Sequence, residues 1–399
     1  MINLELPEET KNDITNLHQL AKDLFRPIAR KYDEAEHEYP KEMEVLRQFN
    51  PPPRKKGDKK EAKPDKKPPK TGVGQSLLAV MRVEELCWGD CGLTLTWPGR
   101  GLGNAAINAV ATDEQLERFG GKWASMAITE PESGSDTGSI STTAELDGDE
   151  WVLNGEKIFV TAGDRSEAVV VWATIDKDAG KAGIKSFVVE KGTPGFKLDH
   201  LEHKLGIRAS DTAAFVFNNC RIPKDNILGS AEVKEKKSTA GFKGVMKTFD
   251  NTRPSVAAQG VGIARAALEF TKEQMEESGA KLDYEKSPNN LSSQEKDYYM
   301  MEAHLEASRL LVWKAAWMAD NGERNSLEAS MSKAKAGRYA TLITQKCCEL
   351  LGPLGWTQKH LPEKWMRDSK IVDIYEGTGQ IQHLIVARQF LGLNSSQLK

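Results

Sequence analysis

A carboxylate, a glycine and a hydroxyl stand side by side near the C-terminus, in Ile374-Tyr375-Glu376-Gly377-Thr378-Gly379-Gln380-Ile381-Gln382, between two apolar helical patterns. Gly377 permits a tight bend that a bulkier residue would resist. Such a bend leaves backbone N–H groups unpaired and able to bond a ligand carbonyl. A base next to an oxyanion donor is what removal of a proton beside a carbonyl requires. A Glu-Gly-Thr turn is equally an ordinary surface loop, so this stretch selects a chemistry only in company with others.

Two further segments carry clustered polar side chains. Ala127 to Ser139 reads AITEPESGSDTGS, a polar turn suited to Asx-type side-chain bonding. Lys157-Ile158-Phe159-Val160-Thr161-Ala162-Gly163 reads as a half-buried strand in which Phe159 and Thr161, two apart, share a face.

The elements that must position these groups fall into three regions. From about 8 to 123 apolar residues recur at three and four, as in Leu17, Leu20, Ala21, Leu24 and Phe25 and again in Leu77, Val80, Met81, Val83 and Leu86. The run 51–70, with nine basic and three acidic side chains among its prolines, interrupts that pattern and reads as a solvated insertion. From about 124 to 232 the period drops to two. Asn154-Gly155 between two apolar runs predicts a hairpin, and the regular spacing of short strands suits a small antiparallel barrel or sandwich. From about 240 long helices return at 242–278, 291–321, 326–351 and 380–391, with Pro254 expected to kink the first or to stand near its start. The expected architecture is α+β and multidomain: an N-terminal helical domain (1–123), a middle antiparallel β-barrel (124–235) and a C-terminal four-helix bundle (236–399).

Composition narrows the function. A net charge of −3 across 399 residues favours neither nucleic acid nor an acidic tail, and no apolar run is long enough to span a membrane. The acidic N-terminus lacks a basic region followed by an apolar stretch, so a cytoplasmic location is expected. Five cysteines, at 87, 91, 220, 347 and 348, read as reduced and buried. Cys87 and Cys91 could share a helix face, but no second ligand pair stands near them, and no metal site is expected.

These segments together closely resemble the acyl-CoA dehydrogenase family over almost the whole chain, and helix–barrel–bundle is that family's order. The resemblance implies an FAD enzyme that forms the α,β double bond of an acyl-CoA thioester and passes electrons to an electron-transferring flavoprotein. Glu376 would be the base that takes the pro-R α-proton while a hydride goes to flavin N5, and its backbone N–H, with Gly377 beside it, would face the thioester. Thr129 would bond the pyrimidine edge of the flavin, Thr161 would lie against N5 and Phe159 would cover the ring, where many relatives have tryptophan. Ser135 would reach the pantetheine or phosphate region, and Thr378 and Gln380 the flavin's phosphate and ribityl portion. Phe249-Asp250-Asn251-Thr252-Arg253-Pro254 resembles the segment that approaches the thioester, where Arg253 would hold the loop and offset the charge of Glu376. Some members carry their base at the position of Thr252; threonine cannot serve, which leaves Glu376.

Two departures bear on assembly. Where relatives carry an arginine that grips the diphosphate of a neighbouring subunit's FAD, this chain has Lys281-Leu282-Asp283-Tyr284-Glu285, and lysine lacks the bidentate fork of arginine. Glu349 to Gly355, including Gly352, replaces a glutamine and one of two glycines that normally lie under the adenine half. A homo-oligomer with rearranged FAD contacts, or a hetero-oligomer with a related chain, follows as the expectation. The alternatives are an oxidase or monooxygenase on the same scaffold, a non-catalytic partner subunit, and a helical binding module tethered by the lysine-rich run.

Overall fold

The computed structural model describes residues 5–50, 73–233, 240–393 and 397, with the backbone alone over 240–251. The insertion expected at 51–70 lies outside the described residues. Helix α1 (Glu8–Leu20) passes through a π-helical turn, Ala21–Phe25, into α2 (Arg26–Glu34). The apolar stripe buries Ala21, Phe25, Ala29 and Tyr32, with Leu17, Leu20 and Leu24 packed beside them. Helices α3 (Gln75–Gly89), α4 (Cys91–Thr94), α5 (Leu102–Val110) and α6 (Asp113–Phe119) complete the first region. A reciprocal pair of bonds between Thr112 and Gln115 caps α6.

Eight strands then form one sheet: β1 (Ala124–Ala127), β2 (Thr143–Asp147), β3 (Glu150–Thr161), β4 (Ala168–Thr174), β5 (Ile184–Glu190), β6 (Phe196–Leu201), β7 (Thr212–Pro223) and β8 (Ile227–Leu228). Their order is β6-β7-β3-β2-β4-β5-β8, with β1 paired to β4. Most ladders are antiparallel as expected, but β1 and β2 each meet β4 in parallel. Alternating residues Trp151, Leu153, Val169, Val171, Phe215 and Phe217 fill one face. Val170 and Val188 on the other face meet Ile107, Leu116 and Phe119 of α5 and α6. Both faces of β4 are therefore covered, which accounts for its unbroken apolar run.

The hairpin expected at Asn154-Gly155 does not form. Residues 150–161 make a single strand, and Asn154-Gly155 marks a shift in its pairing with β7. Gly155 (φ +146°) lies so close to Thr142 that a Cβ there would stand 2.5 Å from its Oγ1. The glycine answers a close backbone approach rather than a turn. The actual two-residue turn is Gly148-Asp149, between β2 and β3.

The closing helices are α7 (Ala240–Glu277), α8 (Ser293–Asp320), α9 (Ser326–Leu351), α10 (Pro353–Trp356), α11 (Pro362–Ser369) and α12 (Gly379–Phe390). The long ones match the expected spans within two residues. Pro254 stands in the interior of α7, where it removes one main-chain bond. Leu77, Val80 and Met81 of α3 pack with Val261, Ala264 and Leu268 of α7, Leu305 and Val312 of α8 and Ile343 of α9.

One buried cluster ties the three regions together. The Lys364 ammonium on α11 donates to Asp90 Oδ2 and to Asp368 Oδ2, each at 2.5 Å, and the Ile207 N–H donates to Asp368 Oδ1. All five cysteines are free and buried. No described helix is long and apolar enough to cross a membrane.

Candidate active site

Between a 3-10 turn (Lys370–Asp373) and α12 the backbone takes two consecutive left-handed residues, Glu376 (φ +55°) and Gly377 (φ +90°). Glycine accepts this freely; glutamate does so at a cost. The neighbours hold the bend. The Gln382 amide donates to the Gly377 carbonyl at 3.0 Å, the Tyr375 hydroxyl bonds the side chain of Gln259, and Thr378 Oγ1 accepts from the Ile381 N–H at 3.3 Å to cap α12. Among the described residues the Glu376 N–H has no acceptor, as an oxyanion donor requires.

The Glu376 carboxylate accepts a hydrogen bond from Thr252 Oγ1 at 3.1 Å. Burial raises its pKa above the ordinary carboxylate value; the Thr252 bond, buried Arg253 and Lys333 pull the other way without cancelling that rise. Lys333 on α9 is fully buried, and burial holds its ammonium down to about 8 against the attraction of Asp373 and Glu376. An acid made reluctant to ionise, yet supplied with a hydroxyl and two cations, is suited to take a proton near neutral pH.

A second group forms where the 128–142 segment meets β3. The Ile158 N–H donates to the Thr129 carbonyl at 2.9 Å. Fully buried Lys157 bonds Glu130 Oε1 at 2.7 Å and the Ile128 carbonyl at 2.9 Å, while Glu130 also accepts from the N–H groups of Ser141 and Thr142. Between Lys157 and Val160 the pairing with β7 shifts again. The simple alternation expected for Phe159 and Thr161 is thus interrupted by a bulge. Phe159 is left-handed (φ +59°) and 60% exposed, and Ala162 is left-handed too (φ +55°). The exposed aromatic ring of Phe159 and the half-buried Thr129 and Thr161 are the kinds of side chain that stack on and hydrogen-bond a planar heteroaromatic ligand.

Comparison with known proteins gives this geometry a lineage. Residues 125–220 match the middle domain and residues 239–391 the C-terminal domain of acyl-CoA dehydrogenases. The chain is 35% identical over 317 residues to the short-chain-specific acyl-CoA dehydrogenase of Clostridium acetobutylicum, spanning 78% of this chain and 80% of that one. The chain belongs to the acyl-CoA dehydrogenase family. The mitochondrial short-chain-specific acyl-CoA dehydrogenase of Mus musculus is 39% identical over 68% of this chain, which spans 64% of that relative's length. The butyryl-CoA dehydrogenase structure from Megasphaera elsdenii superposes with a TM-score of 0.80 at 30% identity, covering 98% of this chain and all of the other.

Within this acyl-CoA dehydrogenase fold Glu376 meets Thr252 and Arg253 beside Gly377, and the Thr129 carbonyl bonds β3, the strand that carries Phe159 and Thr161. Ser135 is exposed in its turn, Thr378 serves as a helix cap, and Gln380 is exposed on the first turn of α12. Lys281 and Tyr284 are exposed in the α7–α8 connection, with the Tyr284 hydroxyl bonded to Glu302. Exposed Glu349 pairs with Lys346, and Gly352 (φ +55°) joins α9 to α10. Sequence reasoning missed the donor role of Thr252 and the presence of Lys333. The signal for the latter was there: Ala329, Ser330, Ser332, Ala334, Ala336 and Gly337 surround it with residues small enough for a close helix contact.

Proposed function

We propose that this chain desaturates an acyl-CoA thioester between Cα and Cβ with FAD as cofactor and an electron-transferring flavoprotein as acceptor. The observation that carries the reading is the Glu376 carboxyl: its pKa is lifted by burial, and it accepts a hydrogen bond from Thr252 next to a backbone N–H that has no acceptor among the described residues. Glu376 takes the α-proton, and its own N–H steadies the negative charge that develops on the thioester oxygen. One such donor is worth roughly 3–4 kcal/mol in the transition state. Arg253 and Lys333 limit the cost of the carboxylate charge that Glu376 carries before it takes the proton, and Thr252 fixes its orientation. Thr129, Phe159 and Thr161, with Ser135, Thr378 and Gln380, are the residues that would hold FAD. Bound there, FAD supplies the hydride acceptor for the β-hydrogen. The names of the clostridial and mouse relatives make short acyl chains the first substrates to test.

Glu376→Gln is expected to keep its yellow flavin and lose bleaching by acyl-CoA under anaerobic titration. Unchanged bleaching would remove Glu376 from the reaction. Assembly as a homo-oligomer or with a related chain is part of the same proposal, with the exposed stretch 281–285 as its motive. A full equivalent of flavin per chain in a purified homo-oligomer would argue against altered FAD contacts between subunits.

A further inference from the structure

A cluster far from the acyl-CoA site in sequence and role has the makings of a metal centre. Glu36 and His37 follow the last turn of α2, and His203 follows β6. One ligating atom from each lies within 4.8 Å of the others. Glu36 Oε2 is 3.1 Å from His203 Nδ1, and the two imidazole centroids are 5.2 Å apart. We propose that Glu36, His37 and His203 bind a divalent transition metal of the zinc type, linking the end of α2 to the segment that leaves β6.

The argument rests first on His37. Both of its ring nitrogens are buried and without a hydrogen-bond partner in the described structure. A neutral imidazole always carries one donor and one acceptor, and burying both unmet is costly. Coordination would use the lone pair. Glu36 is already oriented: its Oε1 accepts from the Lys204 N–H at 2.8 Å, which turns Oε2 toward His203. Such outer bonds commonly fix a ligand carboxylate.

The ligand set indicates the class of ion. Two imidazoles and one carboxylate suit zinc, copper or nickel rather than magnesium or calcium. Three protein ligands leave a fourth position for water. Glu36 Oε2 and His203 Nδ1 already stand at about the separation that two ligands of one zinc ion adopt, with bonds of about 2.0–2.2 Å; His37 closes the remaining gap by side-chain rotation. One group competes. Arg208 Nη2 lies 3.2 Å from Glu36 Oε2, and an arriving ion would displace that guanidinium, whose side chain is one-third exposed and free to turn toward water.

The test uses the full chain, stripped with a chelator and titrated with Zn²⁺ by calorimetry and with Co²⁺ by visible absorption. One equivalent of Zn²⁺ is expected to bind, to give a tetrahedral-type Co²⁺ spectrum and to raise the melting temperature. His203→Ala and His37→Asn are each expected to weaken Zn²⁺ binding about tenfold or more and to abolish the melting shift. His203 is mostly exposed and asparagine tolerates the left-handed backbone at position 37, so both variants should fold. His200→Ala, beside Asp199 and Glu202 in the next surface cluster, should change nothing. Equal affinity in wild type and His203→Ala, an adventitious ion only, would overturn the proposal, as would no binding at one equivalent.

Discussion

A carboxyl group that must accept a proton from a weak carbon acid needs surroundings that penalise its anion without forbidding it. Glu376 has both halves: enclosure raises its pKa, while Thr252, Arg253 and Lys333 keep the anion attainable. Its left-handed backbone stores roughly 1–3 kcal/mol that the bonds from Gln382 and Tyr375 must hold in place. Lys333 is the least obvious member, since its ammonium has no hydrogen-bond partner among the described residues and acts on Glu376 through space. Lys333→Met removes a cation, so the Glu376 pKa should rise further. The pH profile of substrate-dependent flavin reduction should move to higher pH, and Lys333→Arg should restore it. The stability sign is separate. A carboxyl whose folded pKa is raised stabilises the fold at low pH and loses that contribution as pH rises through the raised value. Glu376→Gln should therefore unfold at equal or higher urea concentration than wild type at pH 8. At this scale Glu376 was legible because its neighbours are of unusual type. Lys333 was passed over because a lysine in a helix reads as solvated, and only the small residues from Ala329 to Gly337 around it signal a close helix contact.

Among elements, β3 shows where local sequence misleads. Asn-Gly is a strong turn signal, yet here the chain runs straight through it and Gly155 serves contact with Thr142. Period-two patterning located the strands but not the bulges at 153–155 and 157–160, which depend on β7, some sixty residues away in sequence. The long helices were legible to within two residues because their apolar spacing is local. The bulge that turns Phe159 outward is braced by Lys157 and Glu130. Burial alone would raise the Glu130 pKa, but Lys157 and the Thr142 and Ser141 donors bring it down to about 2, while burial holds Lys157 at about 8. The carboxylate is the better satisfied partner, so the pair stays ionised at neutral pH. Its stabilisation is present above the ordinary glutamate pKa and is lost as pH falls toward about 2. Glu130→Gln leaves a buried ammonium without its counter-ion. That variant should release most of its flavin on gel filtration at pH 7, and wild type should do so only in strong acid, as flavin fluorescence would report.

For the whole molecule, the order of helical, sheet and helical regions was readable from changes in period, whereas their joint was not. Lys364, Asp90, Asp368 and the Ile207 N–H come from three separate regions, and no local pattern predicts that they meet. Lys364→Met strands two buried carboxylates and should lower stability by about 3–5 kcal/mol, read from the urea midpoint. Replacing the lysine and both aspartates together by apolar residues of similar volume should cost far less. The metal ligands proposed at Glu36, His37 and His203 escaped sequence reading for the same reason, being 167 residues apart.

The sealed thiols offer a practical handle. With every native sulfhydryl shut inside the packed interior, Ellman's reagent should remain colourless with folded protein and report five groups once denaturant is added. A single cysteine engineered onto the surface would then accept a maleimide dye against a silent background, so the native chain needs no prior cysteine removal before distance measurements by fluorescence.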